Sequence, residues 1–491
     1  MNLKPIAAGL LLLSLTACED KLLNITSQTN LTTATYFQTQ ADFQAAVTAT
    51  YEPLRGLYGQ AYVMGEMHSD NARYQYNPAD RGQQDAENVA DFIAQPSNGF
   101  VYNKYVTNYR IISRANQVLS QIDAATFDQT ARNTLKGEAL FLRALAYAEL
   151  AQYYGAVPLH LAPVTDRTQA ALPLSPADSV LARVVRDARL AATLLPGKKT
   201  QVAGRATTGA AKTLLGNIYL VRKQYAAAET VLREVVTSGD YSLLPTYAAA
   251  FDPANKNSSE SVFEVQYQVG SDGYASNFIY GMLPRPLAAS TVAALTGVTN
   301  PQVISQFEAF NVPTPDIIAA YEPSDARKAA TIDYTTTTDG KQYPYVRKYL
   351  HPHGQFGLTN DNWPVYRYSE VLLLLAEALN EQGKPTDAAP FLNQVRARAG
   401  LAATTQTGQT NLRTALANER RVELAFENKR WLDLVRTGQA VATITAYGTR
   451  VKANPTAYYF PAGAGPVPSA FTNVSLTFPL PAAEAQLSPY F

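Results

Sequence analysis

The chain has 491 residues, enough for a well-buried core in one large domain or two. It carries 41 Lys and Arg against 40 Asp and Glu, a near-neutral balance that argues against a nucleic-acid partner and against steering of strongly charged ligands. With a single cysteine, Cys18, it has no internal disulfide, so the fold must rest on core burial.

Residues 1–17 read as a lipoprotein signal peptide: Lys4, then an apolar run from Ile6 to Leu15, then Leu15-Thr16-Ala17-Cys18. The run is shorter than the roughly 20 apolar residues that span a bilayer. Cleavage before Cys18 would leave an acylated N-terminus, with more than one chain giving durable anchoring to the outer membrane. An ordinary secretory signal with a buried thiol is the plainer alternative. Residues 18–35, opening Glu19-Asp20-Lys21 and then rich in Thr, Asn and Gln, read as a lipidated tether that buries too little apolar surface to fold alone.

The rest is expected to be mainly α, with an N-terminal helical region over 36–240 and a C-terminal region over 241–491 forming one compact unit. From Gly137 to Gly155 a helix is apolar on almost every side (Leu140, Phe141, Ala144, Leu145, Tyr147, Ala148, Leu150), as for a helix buried between neighbours. Gly155 ends it, with Pro158 just beyond. Ser175-Pro176 opens the next helix, which runs to about Leu195. Leu215, Gly216, Tyr219, Ala228 and Leu232 follow a tetratricopeptide pattern, and Leu375, Ala376, Leu379, Ala388 and Leu392 repeat it at matching spacing. A further unit runs from Asn411 to Arg436, with Phe426 and Trp431 at apolar positions. The repeats stand much further apart than the roughly 34 residues of a tandem array. The pattern therefore predicts four interrupted tetratricopeptide-like helix pairs, with long irregular insertions and a few short strands. The insertions run from about Glu66 to Lys104 and from Asp240 to Asn362; the second holds one clear strand, Ser261 to Val269. The stretch from Gly448 to Phe491 reads as an irregular tail packing back on the helices.

Local motifs for chemistry are weak. His351-Pro352-His353 has no third ligand beside it, so no metal is expected. Gly204 to Gly209 lacks the Lys of a phosphate loop, and no Gly-x-Ser-x-Gly elbow occurs. Glu423 and Glu427, read as neighbours on one helical turn, do not flank a cleft as glycoside hydrolysis requires. A salt-bridge set joining Arg420, Glu423, Glu427, Arg430 and Asp433 is expected instead, with no enzyme activity and no cofactor.

Four ordered blocks carry a resemblance. Glu138-Ala139, Phe141-Leu142-Arg143-Ala144 and Tyr153-Tyr154-Gly155 with Val157-Pro158-Leu159 form the first. Tyr366-Arg367-Tyr368-Ser369-Glu370-Val371-Leu372-Leu373, running into Ala376-Glu377-Ala378, is the second. Glu419-Arg420-Arg421, Glu423-Leu424 and Phe426-Glu427 lead to Arg430-Trp431, Asp433-Leu434 and Arg436. Pro479-Leu480-Pro481, Glu484 and Tyr490-Phe491 close the series. Together with the lipobox they resemble the SusD/RagB outer-membrane lipoproteins. The resemblance implies a cell-surface protein that binds nutrient oligosaccharides, or in some branches peptides. It also implies delivery to a SusC-like TonB-dependent transporter, over which the protein acts as a lid. An envelope scaffold binding only protein partners is the alternative.

The resemblance further implies that ligands meet aromatic side chains on loops, where rings stack on sugar faces and amides, carboxylates and guanidinium groups bond the hydroxyls. The chain has 30 Tyr and 2 Trp. The loop sequences do not match the family's, so the candidates come from the insertions: Asp70, Asn71, Arg73, Tyr74 and Tyr76; Asn98; Tyr274, Asn277 and Tyr280; and Trp363. Plain core packing is the alternative for each ring, including the cluster Tyr343, Tyr345 and Tyr349.

Overall fold

The computed structural model describes residues 36–78, 83–305 and 309–490; the signal peptide, Cys18 and the tether lie outside the described residues. Helix α1 (Gln40–Tyr51) opens with a reciprocal capping box between Thr39 and Asp42. Helix α2 (Gly99–Gln121) starts at Asn98, whose side chain accepts the Phe100 and Val101 N–H groups. Helix α3 (Gln129–Tyr154) is buried all round over its second half, as its apolar faces require, and Gly155 ends it with φ 76°. The strands β2 (Val157–Pro158) and β3 (Leu174–Ser175) then pair antiparallel and return the chain to α4 (Ala177–Leu194), which packs along α3. Pro176 stands just before α4 rather than inside its first turn.

Helices α5 (Thr208–Val221) and α6 (Tyr225–Thr237) form the first recognised repeat pair, and α7 (Tyr368–Glu381) and α8 (Pro385–Arg398) the second. A Cβ on Gly216 would sit 2.6 Å from Leu232, so the small residue of the pattern is what lets α5 and α6 approach. α6 packs directly on α7, so the two pairs adjoin in space although a long insertion separates them in sequence. Helices α9 (Gln409–Glu423), α10 (Arg430–Arg436) and α11 (Ala440–Ala453) complete the scaffold. The expected continuous unit from Asn411 to Arg436 is broken after Glu423, where Phe426 and Asn428 take positive φ (64° and 66°).

Between the repeat pairs the insertion folds into short antiparallel pairings. β4 (Ser261–Val265) pairs with β8 (Trp363–Arg367), and β6 (Ile332–Thr336) with β7 (Gln342–Val346). β1 (Ala72–Arg73), from the first insertion, pairs with β5 (Val312–Pro313), which lies beside β7. The strand expected to reach Val269 stops at Val265. Beyond it the Tyr267 and Val269 N–H groups donate to the side chains of Asn362 and Asn360, both at 2.8 Å, instead of to a neighbouring strand. The main hydrophobic cluster draws on residues from Leu54 to Phe478, and a smaller one under α1 holds Phe43, Val47, Val118, Ile122, Leu135 and Ala139. No helix of the described residues is long and apolar enough to cross a membrane.

Candidate functional site

The first candidate cluster turns out to be two layers. Asp70 is buried and bound by guanidinium groups: Arg430 Nε donates to it at 2.8 Å, and Arg421 lies at 2.8 Å. Burial alone would raise its carboxyl; Arg430 and Arg421 outweigh that and hold it below the usual range. Asn71 donates to Glu66 at 2.9 Å and accepts Arg421 Nε at 2.8 Å. Arg73, fully buried, pairs with Asp91 at 2.7 Å, and the Tyr74 hydroxyl donates to the same carboxylate at 2.9 Å. These four residues are therefore corrected from ligand contacts to a base, since all four are buried and are bonded to partners inside the protein. Their apparent surface character came from reading an insertion as all loop.

On that base stands a surface layer. The Arg73 guanidinium lies 4.8 Å from the Tyr74 ring centre and 4.9 Å from that of Phe460. Phe460 in turn packs against half-buried Tyr76 at 5.1 Å. Next to Phe460, Tyr459 holds a left-handed backbone (φ 73°), a conformation that costs a non-glycine residue of the order of 1–3 kcal/mol. Its hydroxyl donates to the Pro313 carbonyl, and its ring lies 5.8 Å from that of Tyr343. Tyr343 projects from β7, and Gln75 directly precedes Tyr76 in the chain. Gln75 is itself gripped at both ends of its amide by the Arg285 backbone. Tyr76, Tyr343 and Tyr459 thus form one half-exposed aromatic surface, Tyr76 resting on Phe460 and Tyr343 on Tyr459. Of these, only Tyr76 was among the sequence candidates. Tyr459 stands in the tail triplet Tyr458-Tyr459-Phe460, bracketed by Pro455 and Pro461, and that signal could have found it.

The remaining candidates divide. Asn98 is buried as the α2 cap and also donates to the Asp85 carbonyl at 2.8 Å, which corrects it to a structural role. Trp363, 0% exposed, stacks on Tyr349 at 5.4 Å and meets Phe278 edge-on at 5.2 Å; its place in strand β8 puts it in the core. Tyr280 is buried too, its hydroxyl 2.6 Å from His353 Nε2. Tyr274 and Asn277 are exposed, on a turn distinct from the Tyr76 surface.

The expected salt-bridge set exists with different partners. Arg420 pairs with Asp433 at 2.9 Å, as expected, but Glu427 lies beyond the end of α9 and binds Arg367 and Lys348, each at 2.8 Å. Arg430 goes to Asp70 instead. Glu423 accepts Arg367, Arg327 and Arg398 and is fully buried. Burial would raise its carboxyl, and the three guanidinium groups hold it far below the usual range. A carboxylate so held is a poor proton donor or base. His351 Nδ1 lies 2.5 Å from Asp361, and among the described residues no group of three His, Cys, Asp or Glu is placed to hold a metal ion.

Two family models match the chain: "SusD family" over residues 318–490 and "Starch-binding associating with outer membrane", a SusD-like model, over residues 23–220. The chain belongs to the SusD/RagB family. A curated SusD relative, SusD-like protein P2 of Formosa agariphila, is 28% identical, covering 87% of this chain and 89% of its own. A solved "Laminarin binding SusD-like protein" is 25% identical, with TM-score 0.74 over 92% of this chain and 98% of its own. Surface glycan-binding protein A from Bacteroides thetaiotaomicron, solved with laminarihexaose, shares the fold (TM-score 0.71, 22% identity, 91% of this chain and 97% of its own). The mainly helical SusD architecture expected from the sequence is thus the one found, and the family carries an association with the outer membrane.

Proposed function

We propose that this SusD-family protein binds nutrient oligosaccharides on the surface formed by Tyr76, Tyr343 and Tyr459. It then hands them to a SusC-like TonB-dependent transporter in the outer membrane, which it covers as a lid. Acyl chains on Cys18 and the 18–35 tether would hold it at the cell surface. The observation that carries the reading is the pre-set tyrosine surface. Tyr76 packs on Phe460, the Tyr459 hydroxyl is tied to Pro313, and Tyr343 packs against Tyr459, so little side-chain freedom is lost when a sugar ring stacks. The laminarin-binding relative and the laminarihexaose complex favour a glycan over a peptide. The ions near this surface, Lys341 with Asp339 at 3.1 Å and Arg450 with Asp316 at 2.5 Å, are paired with each other, which suits a neutral glycan. Binding without turnover is the expected behaviour, since Glu423, Glu427 and Asp433 are all committed to arginines.

The test is calorimetric titration of the soluble chain beginning after Cys18 against a panel of neutral glycans, acidic glycans and peptides. A neutral glycan should bind, and Tyr343→Ala should weaken it about tenfold, equivalent to about 1.4 kcal/mol. A glycan bound equally well by Tyr343→Ala and Tyr459→Ala would move the site elsewhere. Binding of peptides alone would overturn the glycan reading.

A further inference from the structure

We infer that the turn carrying Tyr274 is a second glycan platform, which works with the Tyr76 surface on one extended chain and makes the protein selective for long glycans over short ones. The inference rests on the glycan reading above. Tyr274 is 46% exposed, and the Arg55 guanidinium carbon lies over its ring, 4.1 Å from the centre. Arg55 is itself fixed: its Nε donates to the Gln266 carbonyl at 3.1 Å, and its own carbonyl accepts the Tyr267 hydroxyl at 2.7 Å. The turn is closed by Gln268 N–H donating to the Tyr274 carbonyl at 2.8 Å, with Gly273 at φ 72°. Val269 in the same turn is tied to Asn360 at 2.8 Å. An exposed aromatic ring would ordinarily sample several rotamers; this one is backed by the Arg55 guanidinium while nearly half of the residue stays exposed. The exposed amide of Asn277 and the Arg55 Nη groups, which make no hydrogen bond among the described residues, stand close in sequence or space to that ring as hydroxyl partners.

The two platforms are joined by a short, rigid path. From Tyr274 the chain enters the buried helix Phe278–Met282, and Gly281 O accepts Phe310 N–H at 2.7 Å. Ala309 O, next to Phe310, accepts Gln75 N–H at 2.9 Å, and Tyr76 follows. Counting the residues on that path bounds the separation of the platforms at about 40 Å, and the helical segment shortens it. A polysaccharide is long enough to span both. Once one platform holds a chain, the second binds it at high effective concentration, so length is rewarded without any new kind of contact.

The experiment titrates laminarin and laminaritriose into the wild-type chain, Tyr274→Ala and Tyr343→Ala. The expected result is an approximately tenfold loss of laminarin affinity in Tyr274→Ala, with laminaritriose binding changed less than twofold, and a loss for both ligands in Tyr343→Ala. If Tyr274→Ala binds laminarin as the wild type does while Tyr343→Ala does not, the second platform is overturned and the glycan reading stands. Equal losses for both ligands in Tyr274→Ala would make Tyr274 part of a single site and also overturn it. If the wild type binds neither ligand, the inference falls for this glycan class, and the broader panel decides the underlying reading separately.

Discussion

Two regions of this molecule use polar chemistry in opposite ways. Around α7, α8 and α9, Arg367, Arg327 and Arg398 converge on Glu260, Glu419, Glu423 and Glu427, all deeply buried. Lys348 joins them through Glu427, and burial pulls its ammonium down to about 8. At the tyrosine surface the polar atoms are hydroxyls and amides, the rings are half exposed, and the charges close by are paired at the rim. The first region contains most of the residues that make the family recognisable, and it is closed to ligands. The second contains the candidate site, and its rings belong to no motif block. Recognisable motifs here mark what fastens the helices together. The candidate surface is assembled from a strand, a loop and a tail that need only present a ring at the right place.

The sharpest way to break the comparison is to open the buried network. Arg367→Ala leaves Glu423, Glu427 and Glu260 short of a partner, so urea unfolding should show a loss of about 3–5 kcal/mol, or no folded protein at all. Arg222→Ala, which removes an ion pair to exposed Asp178, should unfold close to wild type and serves as the control. A normal midpoint for Arg367→Ala would show that the network is not a fastener.

His68 offers a pH test of the same interior. Its ring is stacked 3.8 Å from Phe92, with Nδ1 2.6 Å from the Val89 carbonyl, and burial pushes it down to about 3. The unfolded chain takes up that proton near 6.5, whereas the folded one does so only near 3. Stability is therefore complete above about pH 6.5 and falls as pH drops toward 3, by up to about 1.4 kcal/mol per pH unit from this group. Comparing His68→Gln with wild type across pH 7 to 4 should show a shallower decline in the variant; parallel curves would remove His68 from the account.

Smaller effects follow. Gly216→Ala places a methyl 2.6 Å from Leu232 and should cost about 1–3 kcal/mol through the spacing of α5 and α6. Tyr343→Ala should change stability less than Arg367→Ala or Gly216→Ala while changing glycan affinity most, which is the contrast between the two regions in one measurement. If Tyr343→Ala unfolded as easily as Arg367→Ala, the tyrosine surface would be core after all.

Much of the fold was legible because helix packing leaves a local imprint. Gly216 and Ala376 recur with Leu232 and Leu392 because close helix pairs need a small residue opposite a large one. The all-round apolar face of α3 signalled its burial in the same way. The break after Glu423 was not legible: Phe426 and Asn428 adopt positive φ to let Glu427 face Arg367 and Lys348, a demand set by partners distant in sequence. Of the sequence candidates, Tyr76, Tyr274 and Asn277 reach the surface, whereas Asp70, Arg73, Tyr74 and Trp363 carry the same composition and lie inside. A tyrosine or arginine in an irregular segment reads alike whether it faces water or a buried carboxylate.

The amino-acid sequence by itself determined the helical scaffold, its interruptions and its family, because periodicity and ordered motif blocks are properties of short stretches of chain. Which rings reach the surface was decided only by the tertiary structure. Exposure depends on what packs underneath: Phe460 beneath Tyr76, Tyr459 against Tyr343, Arg55 behind Tyr274 and the rings of Tyr349 and Phe278 around Trp363. Those neighbours come from parts of the chain that only folding brings together.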